Sequence, residues 1–273
     1  MVVGLFLQVD IGFAFDEGER LVDAVNAFNA YRYKPDSKLI EAAKKGNLEE
    51  LRGALDESKV SIDDISEESS MTALTYASRS GHKDMVILLL NKGASPHMLV
   101  GSWRENTSLR EAVTAGHKEI VKLLLDKQDG VGARLSMDYA LIEAAKKGSK
   151  DMVEQLLDKG ADPSAEGNAE HDKSFTGSTA LIVASDYGHK DIVQLLLNRG
   201  ANLHMTNICG NTALMIASWC GHKDIVQLLL DRGANPHSRN LQDSTALDLA
   251  KRNGHKEIVR LLNKAMSARI QKL

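Results

Sequence analysis

The ten residues GHKDIVQLLL stand at positions 188–197 and again, without a single change, at positions 221–230. Weaker copies of the same stretch begin at earlier and later glycines. These glycines occupy positions 46, 81, 116, 148, 188, 221 and 254, so the spacings are 35, 35, 32, 40, 33 and 33 residues. A sequence that resembles itself at such a period is typical of a repeat architecture, in which each unit is one supersecondary motif stacked on the next.

Each unit reads as two helices, and residues 177–200 show this most clearly. The first helix is short, begins after the capping residue Thr179 and stops before Gly188. The second helix carries Asp191 in its first turn, where the helix dipole favours an anion. Its apolar residues cover more than one side, so we expect this helix to lie between neighbours in a stack. The polar, turn-rich residues 203–211 then predict a projecting loop or hairpin, called a finger below.

Taken as a set, the motifs T-A-L-x-x-A, G-H-x-D/E-I-V, L-L-L and G-A-N/D/S-P resemble those of ankyrin repeats. The resemblance covers about residues 36–264 and implies an all-α ankyrin-repeat helical solenoid of about seven repeats. The chain departs from the family pattern in its helix openings, where T-P-L-H has Ala in place of Pro and lacks the His. The residues at the His position are Thr75, Ile182, Met215 and Asp248. We therefore expect weaker hydrogen bonding between repeats.

Three segments do not follow the repeat. Residues 1–35 contain apolar residues at helical spacing after Asp16, which predicts an N-terminal segment with a capping helix. The wide spacing between Gly148 and Gly188 indicates an insertion around 165–175, expected to be a longer finger. The third unit runs into DKQDGVGARLSMDYA without the usual Gly-Ala-Asp, so its chain should turn differently. Residues 265–273 predict a C-terminal helical tail.

Composition excludes several classes of protein. The chain has 273 residues, 43% of them hydrophobic and 26% charged, with a net charge of −3. No apolar run approaches the roughly 20 residues that a membrane-spanning helix needs. The apolar N-terminus has no basic start and is interrupted by Asp10, so no signal peptide is expected. Cys209 and Cys220 are too few for a disulfide framework, which favours free thiols and a cytoplasmic location.

Nine histidines suggest a metal site, but five of them recur once per repeat at the helix-joining turn and three more recur at one position of the links. Neighbouring helices pack roughly 8–10 Å apart, whereas zinc needs ligand nitrogens about 2 Å from one ion. A pair such as His189 and Asp191 lacks a nucleophile and an oxyanion site. We therefore expect no metal, no cofactor and no enzymatic activity. The C-terminal residues 233–273 are basic but carry no aromatic residue among their cations, so we expect no nucleic-acid binding.

The resemblance to ankyrin repeats implies that a protein partner binds the concave face, formed by the fingers and the exposed side of the first helices. The residues just before the helix-joining glycines belong to that side. Tyr187 and Trp219 occupy such positions in adjacent repeats of a chain that is only 4% aromatic. We predict that they anchor a partner-binding patch completed by Met205, Ile208, Arg239, Leu241, Asp186 and Arg252. The alternative is that Trp219 packs beneath a finger as local core.

The sequence thus predicts a monomeric, non-enzymatic protein–protein interaction scaffold or adaptor. Two alternatives within binding remain open. One is a dedicated inhibitor of a partner enzyme or toxin, in which the insertion at 165–175 plugs an active site. The other is a pathogen effector that uses the repeats to capture a host protein.

Overall fold

The computed structural model describes residues 37–56, 61–66, 69–97, 107–127, 131–167 and 177–270. The chain divides into two compact units, Met1–Asp36 and Ser37–Leu273. The second unit contains all the described residues, whereas the predicted N-terminal capping helix lies outside them. Most of the insertion, residues 168–175, and Trp103 also lie outside the described residues.

The described residues form fourteen helices arranged as seven consecutive pairs. The bounds of the helices are α1 Lys38–Lys45, α2 Leu48–Asp56, α3 Ala73–Ser80, α4 Lys83–Asn91, α5 Ser108–Ala115, α6 Lys118–Leu125, α7 Val131–Lys147, α8 Lys150–Asp158, α9 Ala180–Asp186, α10 Lys190–Asn198, α11 Ala213–Cys220, α12 Lys223–Asp231, α13 Ala246–Arg252 and α14 Lys256–Ile270. The all-α repeat fold is therefore as predicted.

The pairs stack in chain order. Each first helix packs against its own second helix and against the first helix of the next pair, and the second helices form a parallel row behind them. The core lies between the two rows and is built from the same apolar positions in every unit. In the duplicated decamer, Ile192, Val193 and Leu196 are buried, as are their counterparts Ile225, Val226 and Leu229. The identical residues therefore fill equivalent slots in adjacent units.

Local sequence signals begin and end the first helices. Threonine caps five of them, its side chain accepting a hydrogen bond from the backbone N–H three residues on, as Thr212 Oγ1 does from Met215 at 3.4 Å. The chain then turns at a glycine in the left-handed conformation, for example Gly221 at φ 86°. We call this residue the joining glycine of each pair.

The missing His of the helix openings has different replacements in different repeats. Thr75 Oγ1 lies 3.2 Å from Ser108 Oγ, so here a hydrogen bond still crosses from one repeat to the next. Ile182 and Met215 are buried apolar side chains instead. Asp248 hydrogen-bonds with its own cap, Thr245, and completes a capping box. The stack is therefore held at these positions by a mixture of polar and apolar contacts.

Three of the fingers between pairs are closed by single antiparallel bridges, Ile65 with Thr72, Glu166 with Thr179 and Thr206 with Thr212. The finger that holds the insertion is closed again at Gly167 and Gly177. Gly167 N donates to Ser178 O at 2.9 Å and Gly177 N donates to Gly167 O at 2.8 Å. The two ends of the insertion are thus held together at their base.

The third link does turn differently, as its irregular sequence indicates. In the fourth pair the first helix is α7, 17 residues long, which is about twice the length of the other first helices. Its extra N-terminal turns occupy the part of the chain where other units have a finger. Asp138, on these turns, accepts a hydrogen bond from Asp162 N at 2.7 Å and so ties α7 to the following link. At the other end of the stack, the tail residues up to Ile270 continue α14.

Candidate functional surface

The first helices present one stripe of side chains away from the core. Their small and aliphatic residues are buried, which leaves outward the positions two and one residues before each joining glycine. The position five residues before it is partly exposed in α1, α3, α5 and α11 and buried in α7, α9 and α13. We call this stripe the first-helix face. In the last three pairs it carries Asp186 and Tyr187 at the end of α9, Trp219 and Cys220 with the partly exposed Ile216 on α11, and Arg252 and Asn253 at the end of α13.

The two aromatic residues of this surface are both partly exposed. Tyr187 and Trp219 are each 43% exposed. The ring of Tyr187 stacks on His189, with centroids 6.1 Å apart and planes within 10°. Trp219 is not part of the core, so the alternative reading of this residue as buried beneath a finger is wrong.

Histidines of the next repeat fix the backbone beneath these side chains. His222 Nε2 bonds to Asp186 O at 2.8 Å, and His255 Nε2 bonds to Trp219 O at 2.9 Å. Asn253 Nδ2 donates to Trp219 O as well, at 2.8 Å. Because the acceptors are carbonyls, Nε2 carries the proton in both rings. The histidines of these Gly-His pairs therefore connect neighbouring repeats by hydrogen bonds, and they fix the backbone that carries the predicted patch.

Asp186 and Cys220 link the two aromatic positions. The thiol of Cys220 donates to Asp186 Oδ1 across 3.0 Å. Burial, followed by the hydrogen bond and negative charge of Asp186, raises the pKa of Cys220 to about 12. The thiol therefore stays protonated at neutral pH, which makes it a poor nucleophile. Cys209 is also free and is exposed on a finger.

The finger residues of the predicted patch lie at two adjacent tips. Ile208 is 53% exposed and Leu241 is 80% exposed. Leu241 N donates to Cys209 O at 3.0 Å, which joins the second of these fingers to the first. Ile208 in turn lies close against Gly177, since its Cγ2 would be 3.1 Å from a Cβ added there. The two tips are thus adjacent, and each exposes one large apolar side chain.

The remaining predicted residues are more constrained. Met205 is half-buried. Arg239 is exposed, but its guanidinium donates to Asp243 O at 2.7 Å and to Asp243 Oδ2 at 2.9 Å within its own finger. Arg252 is exposed and makes one long hydrogen bond, 3.4 Å, to Ser244 Oγ. Arg239 is thus held by its own finger, whereas Arg252 remains the more accessible cation.

Sequence reasoning missed one side chain of this surface. Ile216, five residues before its joining glycine, is partly exposed, whereas Val183 and Leu249 at the equivalent positions of α9 and α13 are buried. Aligning the repeats on their glycines shows that all three positions are apolar, but it does not show which of them is exposed. The contact between Cys220 and Asp186 has no comparable signal, because it joins residues 34 positions apart.

The surface is suited to contact rather than to holding an ion. Among the described residues no group of three or more His, Cys, Asp or Glu side chains is placed to bind a metal. Within the same ranges, none of the helices has both the length and the apolar character that crossing a membrane demands. Apolar side chains, partly exposed aromatic rings and peripheral cations are the groups that this face offers.

Comparison with protein-family models identifies the repeats along most of the chain. A model described as ankyrin repeats (3 copies) matches residues 97–166, 141–240 and 206–272. A second model, described as ankyrin repeats (many copies), matches residues 39–90. A search of curated proteins returned no significant match.

Proposed function

The chain belongs to the ankyrin repeat family, whose repeats are protein–protein interaction modules, and from this premise we propose that it is a non-enzymatic scaffold or adaptor. Its partner binds the first-helix face of the last three pairs, together with the finger tips beside it. Tyr187 and Trp219 are the anchors of this contact.

The observation that carries the proposal is the exposure of both aromatic side chains above a fixed backbone. Each is 43% exposed, and the carbonyls of Asp186 and Trp219 are held by histidines of the following repeats. Aromatic side chains contribute strongly at interfaces because they bury a large apolar area with few rotatable bonds. A backbone that is already ordered loses less conformational entropy on binding.

The adjoining finger tips extend the apolar area. Ile208 and Leu241 lie on fingers that are joined by a backbone hydrogen bond, and both are more than half exposed. Large apolar side chains concentrated on one part of a soluble protein are typical of interaction sites. We propose that a partner contacts these tips while its central side chain reaches the aromatic pair.

Photo-crosslinking tests the proposal directly. Benzoylphenylalanine is introduced at Tyr187, at Trp219 or at Gln227 on the opposite row of helices, and each protein is irradiated in an extract of the source cells. We expect one protein to be crosslinked at both patch positions and not at Gln227. With the probe kept at position 187, Trp219→Ala should lower the yield by about tenfold, as loss of an interface hot spot does.

Leu135→Ala provides the matched control, because Leu135 is 42% exposed and lies on α7, outside the patch. It should leave the crosslinking yield unchanged. Equal yields for Trp219→Ala and wild type, with both folded by circular dichroism, would show that the patch is not the binding surface.

The inhibitor alternative makes a different prediction for the insertion. Since Gly167 and Gly177 are hydrogen-bonded at its base, residues 168–176 can be replaced by a short Asn-Gly turn without disturbing the stack. A scaffold retains its partner after this replacement. Loss of the partner, together with recovery of that partner's enzymatic activity, would identify the chain as an inhibitor instead.

A further inference from the structure

Histidines at the joining turns couple neighbouring pairs of helices on the first-helix side of the stack. Each ring lies against the joining glycine of the preceding pair, and its Nε2 bonds to a carbonyl at the end of the preceding first helix at 2.8–3.2 Å. The histidines that make both contacts are His117, His189, His222 and His255. Because each ring is packed and hydrogen-bonded between two repeats, it opposes widening of the interface on this side.

The interface between the third and fourth pairs lacks this histidine. Ser149 stands at the equivalent position, and its side chain makes no capping hydrogen bond. The joining glycine of the third pair, Gly116, is left-handed at φ 82°, but among the described residues nothing lies within 4 Å of a Cβ added there. The space that a histidine ring fills at every other interface between pairs is therefore open between α5 and α7.

The polar contacts of this interface lie on the second-helix side. Lys118 Nζ lies 2.7 Å from Asp151 Oδ2, and Lys159 Nζ lies 3.0 Å from Asp126 Oδ1. No hydrogen bond or ion pair between described residues joins α5 to α7. The apolar packing of α7 is complete, with Leu141 buried. The two pairs are thus held by apolar contacts on both sides and by polar contacts on one side only.

Two carboxylates weaken the first-helix side of the same interface. Glu111 on α5 and Glu143 on α7 each lie five residues before a joining glycine, and they are mostly buried, with 12% of the Glu111 side chain and 9% of Glu143 exposed. Burial raises the pKa of Glu111 and the negative charge of Glu143 raises it further, whereas Arg79 and Arg110 lower it. The two carboxylates therefore repel each other, and separation of α5 from α7 relieves this repulsion.

We propose that this interface is a joint at which the stack bends, opening on the first-helix side and pivoting on the second-helix side. Residues 37–127 then move as one segment and residues 131–270 as another. Bending changes the width of the first-helix face between α5 and α7. Tyr187 and Trp219 lie on the same segment, so their separation is unaffected while their distance from the first three pairs changes. The inference does not depend on the proposed function.

Distances between spin labels measure the bending. Both native cysteines are replaced by serine, and nitroxide labels are attached to introduced cysteines for pulsed electron–electron double resonance. Labels at Asp84 and Asp191 span the joint, whereas labels at Lys150 and Lys256 lie on the second segment; all four positions are exposed. Each pair of labels spans three interfaces between neighbouring pairs of helices. We expect a broader distance distribution for the labels that span the joint.

Ser149→His tests the cause of the bending. The new ring can lie over Gly116 and bond to the carbonyl of Thr114, which is placed like the carbonyls that accept from the other histidines. The distribution across the joint should narrow to the width of the control distribution. Amide hydrogen exchange in α5 and α7 should slow by about fivefold, the equivalent of one net hydrogen bond, while exchange in α11 stays the same.

His189→Ser makes the reverse change at the next interface. It removes the ring from Gly148 and the hydrogen bond to Lys146 O, so it should create a second joint and broaden the distribution between the labels at Lys150 and Lys256. This variant tests the inference even where Ser149→His does not fold, which circular dichroism shows.

Three results would overturn the inference. The first is equal widths of the two distributions in the otherwise unchanged protein. The second is a folded Ser149→His variant whose distribution across the joint is as broad as before. The third is a folded His189→Ser variant whose control distribution does not broaden.

Discussion

At the scale of single residues, the stack depends on a close contact between the joining glycine of one repeat and the histidine of the next. A Cβ added at Gly221 would lie 2.6 Å from His255 Cε1, and one at Gly188 would lie 2.8 Å from His222 Cε1. Only a residue without a side chain lets the ring approach the backbone this closely. The same rings bond to the carbonyls of Trp219 and Asp186, so packing and positioning of the patch come from one interaction.

Gly221→Ala should therefore destabilise the protein more than Gly200→Ala does. Both glycines are left-handed, at φ 86° and 87°, so both substitutions carry the same backbone strain. Only Gly221 meets a neighbouring ring, since nothing lies within 4 Å of a Cβ at Gly200. We expect Gly221→Ala to cost about 1–3 kcal/mol beyond the cost of Gly200→Ala, as overpacking does, measured by urea unfolding.

The double variant Gly221→Ala/His255→Ala checks the cause. Removing the ring relieves the clash, so the two substitutions together should cost less than the sum of their separate effects. Additive effects would mean that the histidine does not limit the space at Gly221.

At the scale of the helix, capping decides where each first helix begins. In α13 the cap is reciprocal: Asp248 N donates to Thr245 Oγ1 at 3.3 Å, and Asp248 Oδ2 accepts from Thr245 N at 3.0 Å. The hydrogen bonds from the Thr245 side chain and backbone lower the pKa of Asp248 below its ordinary value of 3.8. This helix carries Arg252, which belongs to the predicted patch.

The cap predicts an acid dependence of stability. The pKa of Asp248 is lower in the folded protein than in the unfolded chain. Its contribution to stability is therefore present above pH 3.8 and is lost as the pH falls through the lower pKa of the folded protein. Asp248→Asn keeps an acceptor but removes the charge, and should cost about 0.5 kcal/mol at neutral pH. The difference in the free energy of unfolding between this variant and the wild type, measured by urea unfolding from pH 7 to pH 3, should decrease as the pH falls.

Asp56→Asn is the control, since Asp56 is the last residue of α2 and has no place in a first turn. For this variant, we expect no loss of unfolding free energy that becomes smaller as the pH is lowered. A loss for Asp248→Asn that stays constant down to pH 3 would show that the charge of Asp248 does not stabilise α13.

At the scale of the whole stack, each pair of helices contacts only its neighbours, so stability is a sum of units and interfaces. The row of second helices adds exposed ion pairs between neighbours, such as Lys223 with Glu257 at 2.6 Å and Lys118 with Asp151 at 2.7 Å. These pairs are open to solvent and contribute little individually. The apolar interfaces between pairs therefore dominate.

Removing one complete unit should leave a folded, shorter stack. Deleting residues 212–244 joins Asn211 to Thr245, which preserves a threonine cap and brings His255 to the place of His222 beside Gly188. We expect a cooperative urea transition with a lower midpoint and an m-value smaller by about one seventh, since the m-value scales with the surface exposed on unfolding. This variant lacks Trp219, so it should not bind the partner.

Deleting residues 212–228 removes about half a unit and provides the contrast. It removes α11, Gly221, His222 and most of α12, and it leaves residues 229–244 without a complete helix pair. Because the last pair no longer follows a complete neighbour, this protein should unfold at a lower urea midpoint than the 212–244 deletion. Equal urea midpoints for both deletions would mean that the repeat register does not control the stability of the stack.

The sequence by itself determined the repeat, the two helices of each unit and the face that looks outward, because these follow from local signals. Threonine caps, left-handed glycines and apolar residues at helical spacing act within one unit, and the period of about 33 residues places equivalent positions in register. The altered link before α7 was also visible, as the absence of the usual Gly-Ala-Asp, although the 17-residue helix that replaces the finger was not.

The tertiary structure alone decided the environment of the candidate binding residues, since this depends on side chains one repeat away in the chain. The 43% exposure of Trp219 depends on how neighbouring repeats pack around it, and the engagement of Asp186 depends on Cys220, 34 positions later. The sequence predicted that Arg239 contacts a partner. In the structure, the left-handed turn at Asp243, φ 58°, places the Asp243 carboxylate where it accepts a hydrogen bond from Arg239. Contacts of this kind leave no periodic signal, because they arise only once the repeats are stacked.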